Sequence, residues 1–387
     1  MNAFRDLRQL PRGVWIIAIA SLVNRLGAMI VPFLALYLIR ERAYTPEQAG
    51  TILSIYGLSA VVIGPIAGRF VDRVGSVRIM VVSLFLSGVF QFLYPFAHSD
   101  AALVVATIAL GAMAEAYRPA VMTVVADLAP PEQTRQAYAL VRLAINLGMS
   151  IGPAVGGFLA MWSFRAIFFV DAATTLIGAT VLALGRLQVP VRTRPAGEPT
   201  PPIWSALSDR RFRGFLIGLF VINIVSFQGD STLPVYLVRD LHLKESTYGF
   251  LFTVNTLMIV LLEIPLTAAI TGASARRALV LGSLAFAVGF GAVGLATDTP
   301  TILLTVVIWT FGEMLLSPTA SAFVAEIAPP EKRGAYMGMF TASFSLAFVV
   351  APWLGMQTLA AFGGPMHWAV MFALGLVATG LVALGAR

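Results

Sequence analysis

The sequence predicts an all-α membrane protein of twelve transmembrane helices arranged as two six-helix pseudo-repeats. Three observations predict it. The 387 residues are 58% hydrophobic and only 12% charged, with a mean hydropathy of +0.85. A soluble domain carries about 25% charged residues, so most of this chain is dissolved in something other than water. The apolar residues fall into twelve runs, each close to the length of about 20 residues that lets a helix cross a hydrocarbon core. The chain also repeats itself: Ala126-Asp127-Leu128-Ala129-Pro130-Pro131-Glu132 returns as Ala325-Glu326-Ile327-Ala328-Pro329-Pro330-Glu331, at an offset of 199. The same offset relates Tyr37 to Tyr236, Gly50 to Gly249, Pro119 to Pro318, Pro153 to Pro352 and Gly156 to Gly355. A single offset held over most of the chain marks a duplicated unit.

In chain order the first six runs lie at 13–39, 48–67, 77–97, 101–126, 136–162 and 164–185. The first begins after Arg5, Arg8 and Arg12, as a signal peptide would, but it stays apolar to Ile39, longer than a signal core, and the repeat needs it as a first helix. Residues 1–185 therefore form one half. Residues 186–212 form a linker: Pro190, Pro195, Pro199, Pro201 and Pro202 together with the arginines from Arg186 to Arg213 keep it out of the bilayer, on the cytoplasmic side. Near its end, Trp204 and Leu207 suit a place in the interface. Residues 213–387 form the second half, with runs at 213–238, 247–270, 277–297, 300–325, 334–361 and 366–385.

The net charge of +7 invites a nucleic-acid reading, but the basic residues are sorted by membrane face. Of the 26 Lys and Arg, 18 fall on the side of the N-terminus, five on the other side (Arg40, Arg42, Arg165, Arg239, Lys244) and three inside runs (Arg25, Arg118, Arg142). That bias places both termini in the cytoplasm and accounts for the charge by orientation, with no nucleic-acid partner. The chain has no cysteine, which excludes disulfide and thiolate chemistry. His98, His242 and His367 lie on or near outer loops, so neither a metal site nor a cofactor is expected.

Two stretches carry specific signals. Gly68-Arg69-Phe70-Val71-Asp72-Arg73-Val74-Gly75-Ser76-Val77-Arg78 is expected to be a charged hinge between the second and third runs, with glycines that permit unusual backbone and Asp72 just before a helix N-terminus. Its counterpart in the second half, Ala268 to Ala278, has Gly272 in place of Asp72 and keeps only Arg276 and Arg277. In the fifth run, Gly148-Met149-Ser150-Ile151-Gly152-Pro153-Ala154-Val155-Gly156-Gly157 spaces glycines four apart, clearing a helix face for close approach, while Pro153 bends the helix. Gly148-x-Ser150-x-Gly152 also spells a nucleophile elbow, but that motif needs a strand–turn–helix context, and this serine is mid-helix. Generic tight packing is the plainer explanation of the glycines.

The hinge resembles the G-x-L-a-D-R-x-G-R-R signature of the major facilitator superfamily, with Phe70 in place of its Leu and Ser76 in place of a basic residue. The fifth run is similar to the G-x-x-x-G-P-x-x-G-G signature of that superfamily's drug:proton antiporters. The resemblance covers nearly the whole chain. It implies a conformational latch on the cytoplasmic side from Gly68, Asp72, Arg73, Gly75 and Arg78 with Asp127. It also implies that the first, fourth, seventh and tenth helices line a central cavity. An arginine early in the fourth helix, frequent in relatives, is absent: Thr107 precedes Gly111, leaving that role to Arg118 or Arg25.

Charge inside the bilayer is costly and functional by default. Arg25, Glu115, Arg118, Asp230 and Glu313 fall on that cavity-lining set; Arg142, Asp171 and Glu263 lie on the fifth, sixth and eighth runs. Glu115 and Arg118, three apart, share a helix face and can simply neutralise each other. Across the cavity, Arg25 would compete for the same glutamate. Asp230 and Glu313 have no basic residue within a helical turn, so their charged form is disfavoured in a low dielectric. They are the first candidates for proton coupling, with Glu115 and Glu263 next. Solvation in an open cavity is the alternative. Arg25, Glu115, Arg118, Arg142, Asn146, Gln228, Asn255 and Tyr37 are candidates for the substrate cavity, among aromatic and methionine side chains such as Phe33, Tyr56, Phe252, Trp309 and Met314.

The expected function is secondary active transport: proton-coupled efflux of amphipathic drugs or metabolites by alternating access, from a monomer in the cell inner membrane. The partners are then a small-molecule substrate, protons and the lipid bilayer. A proton-coupled importer of a small polar solute or peptide would use Asn146, Asn223, Gln228 and Asn255, and a lipid flippase would use the apolar wall. An enzyme is excluded by the lack of a nucleophile–base pair.

Overall fold

The computed structural model describes residues 10–130, 133–187, 202–269 and 274–386; within these, Pro65, Gly68, Arg69, Asp72, Arg73, Arg135, Ile264, Thr267 and Ala268 are described by backbone alone. Every described element is a helix. The first half gives α1 (Arg12–Leu26), α2 (Ile30–Glu41), α3 (Pro46–Val74), α4 (Ser76–Leu93), α5 (Asp100–Leu128), α6 (Thr134–Trp162) and α7 (Phe164–Leu184). The second gives α8 (Arg210–Ser226), α9 (Thr232–Val235) running into a π turn at Tyr236–Asp240, α10 (Glu245–Ala269), α11 (Ala275–Ala292), α12 (Thr299–Ile327), α13 (Arg333–Phe362) and α14 (Gly364–Gly385). Among the described residues, ten helical stretches are long and apolar enough to cross a bilayer. Neither α3 nor α8 is among them. The latter is only 17 residues long and opens with Arg210, Arg211 and Arg213.

Helix ends follow local chemistry. Ser99 accepts from the Ala102 amide to cap α5, and Asp209 accepts from Arg211 and Phe212 to cap α8. Asp298 and Thr301 form a reciprocal capping box at α12. The Thr301 hydroxyl, and after it the Thr301 amide, hold the Asp298 carboxyl below its ordinary range. Thr107 is buried and hydrogen-bonded to Tyr94 at 2.9 Å.

Two expectations change. The eleven-residue hinge is not a loop: helix continues to Val74 and resumes at Ser76, and Gly75 alone makes the turn at φ 98°. Asp72 thus belongs to the last turn of α3, not to the approach to α4, and its side chain lies outside the described residues. Charged residues can extend a helix beyond the bilayer, so their appearance marks depth and not a helix end. The second change is that the runs 13–39 and 213–238 are each broken, the first between Leu26 and Ile30, the second between Ser226 and Thr232.

The chain packs as two compact units. The first takes the described residues up to Phe33 and those from Ile55 to the linker. Its core of Val14, Ile17, Met80, Leu84, Tyr117, Val121, Val124 and Val141 joins α1, α4, α5 and α6, with Leu182 from α7. The second takes Leu34–Ser54 and the described residues after the linker, so the end of α2 and the start of α3 pack with it. Arg40 is ion-paired with Glu245 there, and a Cβ on Gly50 would stand 2.7 Å from the Pro352 carbonyl oxygen. Within this unit Phe227 meets Phe344 and Phe348 edge-on at 4.9 Å, and Trp368 is fully buried against Tyr236 and Phe290. His367, expected near an outer loop, is fully buried in the first turn of α14 and hydrogen-bonded through Nδ1 to Thr358. Outward-facing large apolar side chains such as Val105, Phe158, Leu261 and Leu304 suit a hydrocarbon solvent.

Candidate functional site

In the first unit the polar side chains gather around the break after α1. Gly27, Ala28 and Met29 leave the helix because their amides turn back on Asn24, Arg25 and Gly27. Helix α6 makes room for this irregular backbone. A Cβ on Gly148 would stand 2.6 Å from Arg25 Cβ, one on Gly152 2.9 Å from the Arg25 carbonyl oxygen, and one on Gly156 3.0 Å from Met29 Cβ. The glycine motif read from the sequence is therefore the bed of the broken stretch. Pro153 and Gly157 are buried in the same helix.

Arg25 is half-buried, with an Nε that has no hydrogen-bond partner, and its charge acts through space on Tyr56, Tyr117 and Asp171. Tyr117 is held by Ser21 at 3.0 Å. Glu115 pairs with Arg118 at 3.7 Å and lies over Gly64 of α3, where a Cβ would be 3.5 Å from its Oε1. The expected competition is thus decided for Arg118, the nearer residue on the same helix face. Among the described residues Arg25 has no ion-pair partner. Asn146 is half-buried on α6, while Arg142 is exposed there. Arg78 is exposed and Asp127 half-buried at the ends of α4 and α5; Gly68, Asp72 and Arg73, expected in a latch, are traced by backbone alone.

In the second unit the break after α8 carries its own acid. Residues from Phe227 to Ser231 form consecutive turns, and Asp230 sits half-buried within them without an ion-pair partner among the described residues. Gln228, fully buried, holds this break: Nε2 donates to the Ile224 and Ala351 carbonyls, and Oε1 accepts from Thr232. Its polar atoms are taken up by the fold, which removes it from the expected cargo-binding set. Tyr248 donates to the Gly229 carbonyl at 3.1 Å. On α12, Glu313 accepts from Asn255 at 3.1 Å, and the same amide reaches Thr310 at 3.0 Å. Asp230 and Glu263 are further acids of the same unit. Tyr37 is buried in α2.

The structure thus groups Asp230, Asn255, Glu263 and Glu313 in one unit and Arg25, Glu115 and Arg118 in the other. Sequence reasoning missed the two breaks and the way Gln228 holds the second of them. The repeat held the signal: Met29 and Gln228, one in each break, are one offset of 199 apart.

Helices packed around interrupted membrane segments, with Asp230 set in irregular backbone, are the architecture of a polytopic carrier of small solutes. The particular family is shown by sequence: the chain belongs to the Major Facilitator Superfamily, whose profile matches residues 17–244 and 230–386. The MFS-type transporter YqjV of Bacillus subtilis (strain 168) is 24% identical over 371 residues, 94% of this chain and 89% of that protein. The quinolone resistance protein NorA of Staphylococcus aureus is 24% identical over 200 residues, 51% of this chain and 50% of its own. Among solved structures, a POT family transporter in complex with 5-aminolevulinic acid superposes with a TM-score of 0.82 at 14% identity, covering 96% of this chain and 95% of that one. The nucleoside transporter NupG gives 0.79 at 11% identity, covering 97% and 99%. This chain is accordingly an integral membrane transporter and not an enzyme.

Proposed function

We propose that the protein is a proton-driven exporter of amphipathic drugs or metabolites, working as a monomer by alternating access in the cell inner membrane. In this reading α3, and the broken segment from α8 through the π turn, complete twelve crossings, and the basic bias keeps both termini cytoplasmic. The observation that carries the proposal is the acidic cluster of the second unit. Glu313 is held by the neutral amide of Asn255, Asp230 sits in the break after α8, and no cation is in ion-pair contact with either among the described residues. Carboxylates placed so must shed charge by taking a proton or attract a cation as cargo. Proton uptake at Asp230 or Glu313 then offsets the departure of a cationic amphipathic molecule, and Gly68, Asp72, Arg73, Gly75 and Arg78 with Asp127 latch the cytoplasmic side. The likeness to a quinolone resistance protein supports export over import.

The test is ethidium transport into everted membrane vesicles. The proposal expects accumulation when the lumen is acid, its collapse on addition of a protonophore, and no pH-driven uptake by the variant Asp230→Asn with Glu313→Gln. Accumulation that ignores the pH gradient rejects proton coupling. Gradient-driven transport of dipeptides but not of ethidium rejects the cargo class.

A further inference from the structure

Asp171 is an aspartate in the middle of α7, only 3% exposed, in a segment that otherwise reads as lipid-spanning. Burial of a carboxylate is tolerable only when its oxygens are fully engaged. Here Oδ2 accepts from the backbone amides of Met29 and Ile30, each at 3.2 Å. Oδ1 accepts from Gln91 Nε2 at 3.1 Å and from the Thr175 hydroxyl at 3.4 Å. The Thr175 oxygen in turn accepts from Asn24 Nδ2 at 3.0 Å.

The contacts straddle the break. Asn24 precedes it, in the last turn of α1; Met29 closes it, and Ile30 opens α2, where the first amides have no carbonyl of their own helix to take. Arg25 lies between these two flanks, and its charge acts on Asp171 through space without a hydrogen bond. The opposite side of the break rests on Gly148 and Gly152. The broken stretch is therefore bedded on α6 and pinned from α7. Gly27 fits only because it lacks a side chain, since a Cβ there would stand 3.0 Å from Asp171 Cα.

We propose that Asp171 is a positioning residue for transport: by clamping both flanks of the break it holds the Arg25 guanidinium on its own side, out of the path of cationic cargo. This rests on the cargo of the proposed exporter being cationic. The clamp needs an acceptor, not a charge. An asparagine keeps one carbonyl oxygen for Met29 and Ile30, and its amide can donate to Gln91 Oε1, which is buried and has no partner at present.

The test combines amide exchange on the purified full chain with ethidium transport kinetics in everted vesicles. Asp171→Ala should speed exchange at Met29 and Ile30 by about tenfold. It should also raise KM for ethidium by about tenfold, with maximal rate per folded transporter nearly unchanged. Asp171→Asn should restore both to within about threefold of wild type. In an Arg25→Met background the KM effect of Asp171→Ala should vanish, because the thing being positioned is gone. A purely structural aspartate would instead lower the yield and maximal rate in every background and leave KM alone; that pattern overturns the proposal. So does unchanged exchange at Met29 and Ile30. If Asp171→Ala fails to accumulate, Thr175→Val removes the bridge from Asn24 at almost constant volume, and an unchanged KM there counts against the clamp. An Arg25→Met variant with a KM raised as far as that of Asp171→Ala shows Arg25 binding cargo and refutes its being held away from it. If ethidium is not carried at all, the proposed function falls, while exchange at Met29 and Ile30 still decides the clamp.

Discussion

Replacing Gly152 by alanine adds one methyl group where α6 meets the backbone of α1. The new Cβ would stand 2.9 Å from the Arg25 carbonyl oxygen and 3.1 Å from that of Leu26, both backbone atoms of the broken stretch. Neither atom can rotate away, so α1 must retreat from α6 by roughly half an ångström to reach ordinary contact, and the interior is packed too densely to absorb that freely. Overpacking of this kind costs about 1–3 kcal/mol. Gly380, a glycine inside α14 with nothing within 4 Å of its would-be Cβ, is the internal control. There the same substitution should gain about 0.8–1 kcal/mol from helix propensity. Thermal unfolding in detergent, followed by tryptophan fluorescence, should separate the two variants in opposite directions from wild type. Ethidium transport should fall in Gly152→Ala and hold in Gly380→Ala. If both variants melt and transport alike, the glycines of α6 are not the bed of the break.

Three further outcomes follow from named contacts. A double-mutant cycle for Glu115→Gln and Arg118→Met should show coupling of about 1 kcal/mol or less, as suits a partly exposed pair at 3.7 Å, whereas Arg25→Met with Glu115→Gln should be additive. Gln228→Leu should lower thermal stability by about 1–3 kcal/mol, because it strands the Ala351 and Ile224 carbonyls and the Thr232 hydroxyl in a buried break. Reversing the charge of Arg40 to glutamate should slow transport, and adding Glu245→Arg should restore it; failure of the swap to rescue would place that ion pair outside the transport cycle.

The membrane class, the duplication and the acids of the second half were legible in the sequence, because hydropathy, a constant offset and lone carboxylates are properties of residue order. The breaks were not. Leu26-Gly27-Ala28-Met29 is as apolar as any helix interior, and only tertiary partners explain why the backbone leaves the helix there. Asp171 read as one more buried charge because its partners lie on the break after α1 and on α4, far off in sequence. Gln228 looked like a cargo ligand by type, and the fold consumes both of its polar ends. The hinge misled for another reason. Residues from Arg69 to Arg73 are charged enough to leave hydrocarbon, yet the backbone stays helical until Gly75.

The most direct measurement of the central claim is proton release on cargo binding. Ethidium is added to the purified transporter in weakly buffered detergent, and the pH change is read with an indicator dye. If Asp230 and Glu313 exchange a proton for a cationic molecule, wild type releases protons on binding, and the variant Asp230→Asn with Glu313→Gln binds ethidium without releasing any. Equal proton release from wild type and variant would contradict the account, as would ethidium binding to wild type with no release at all.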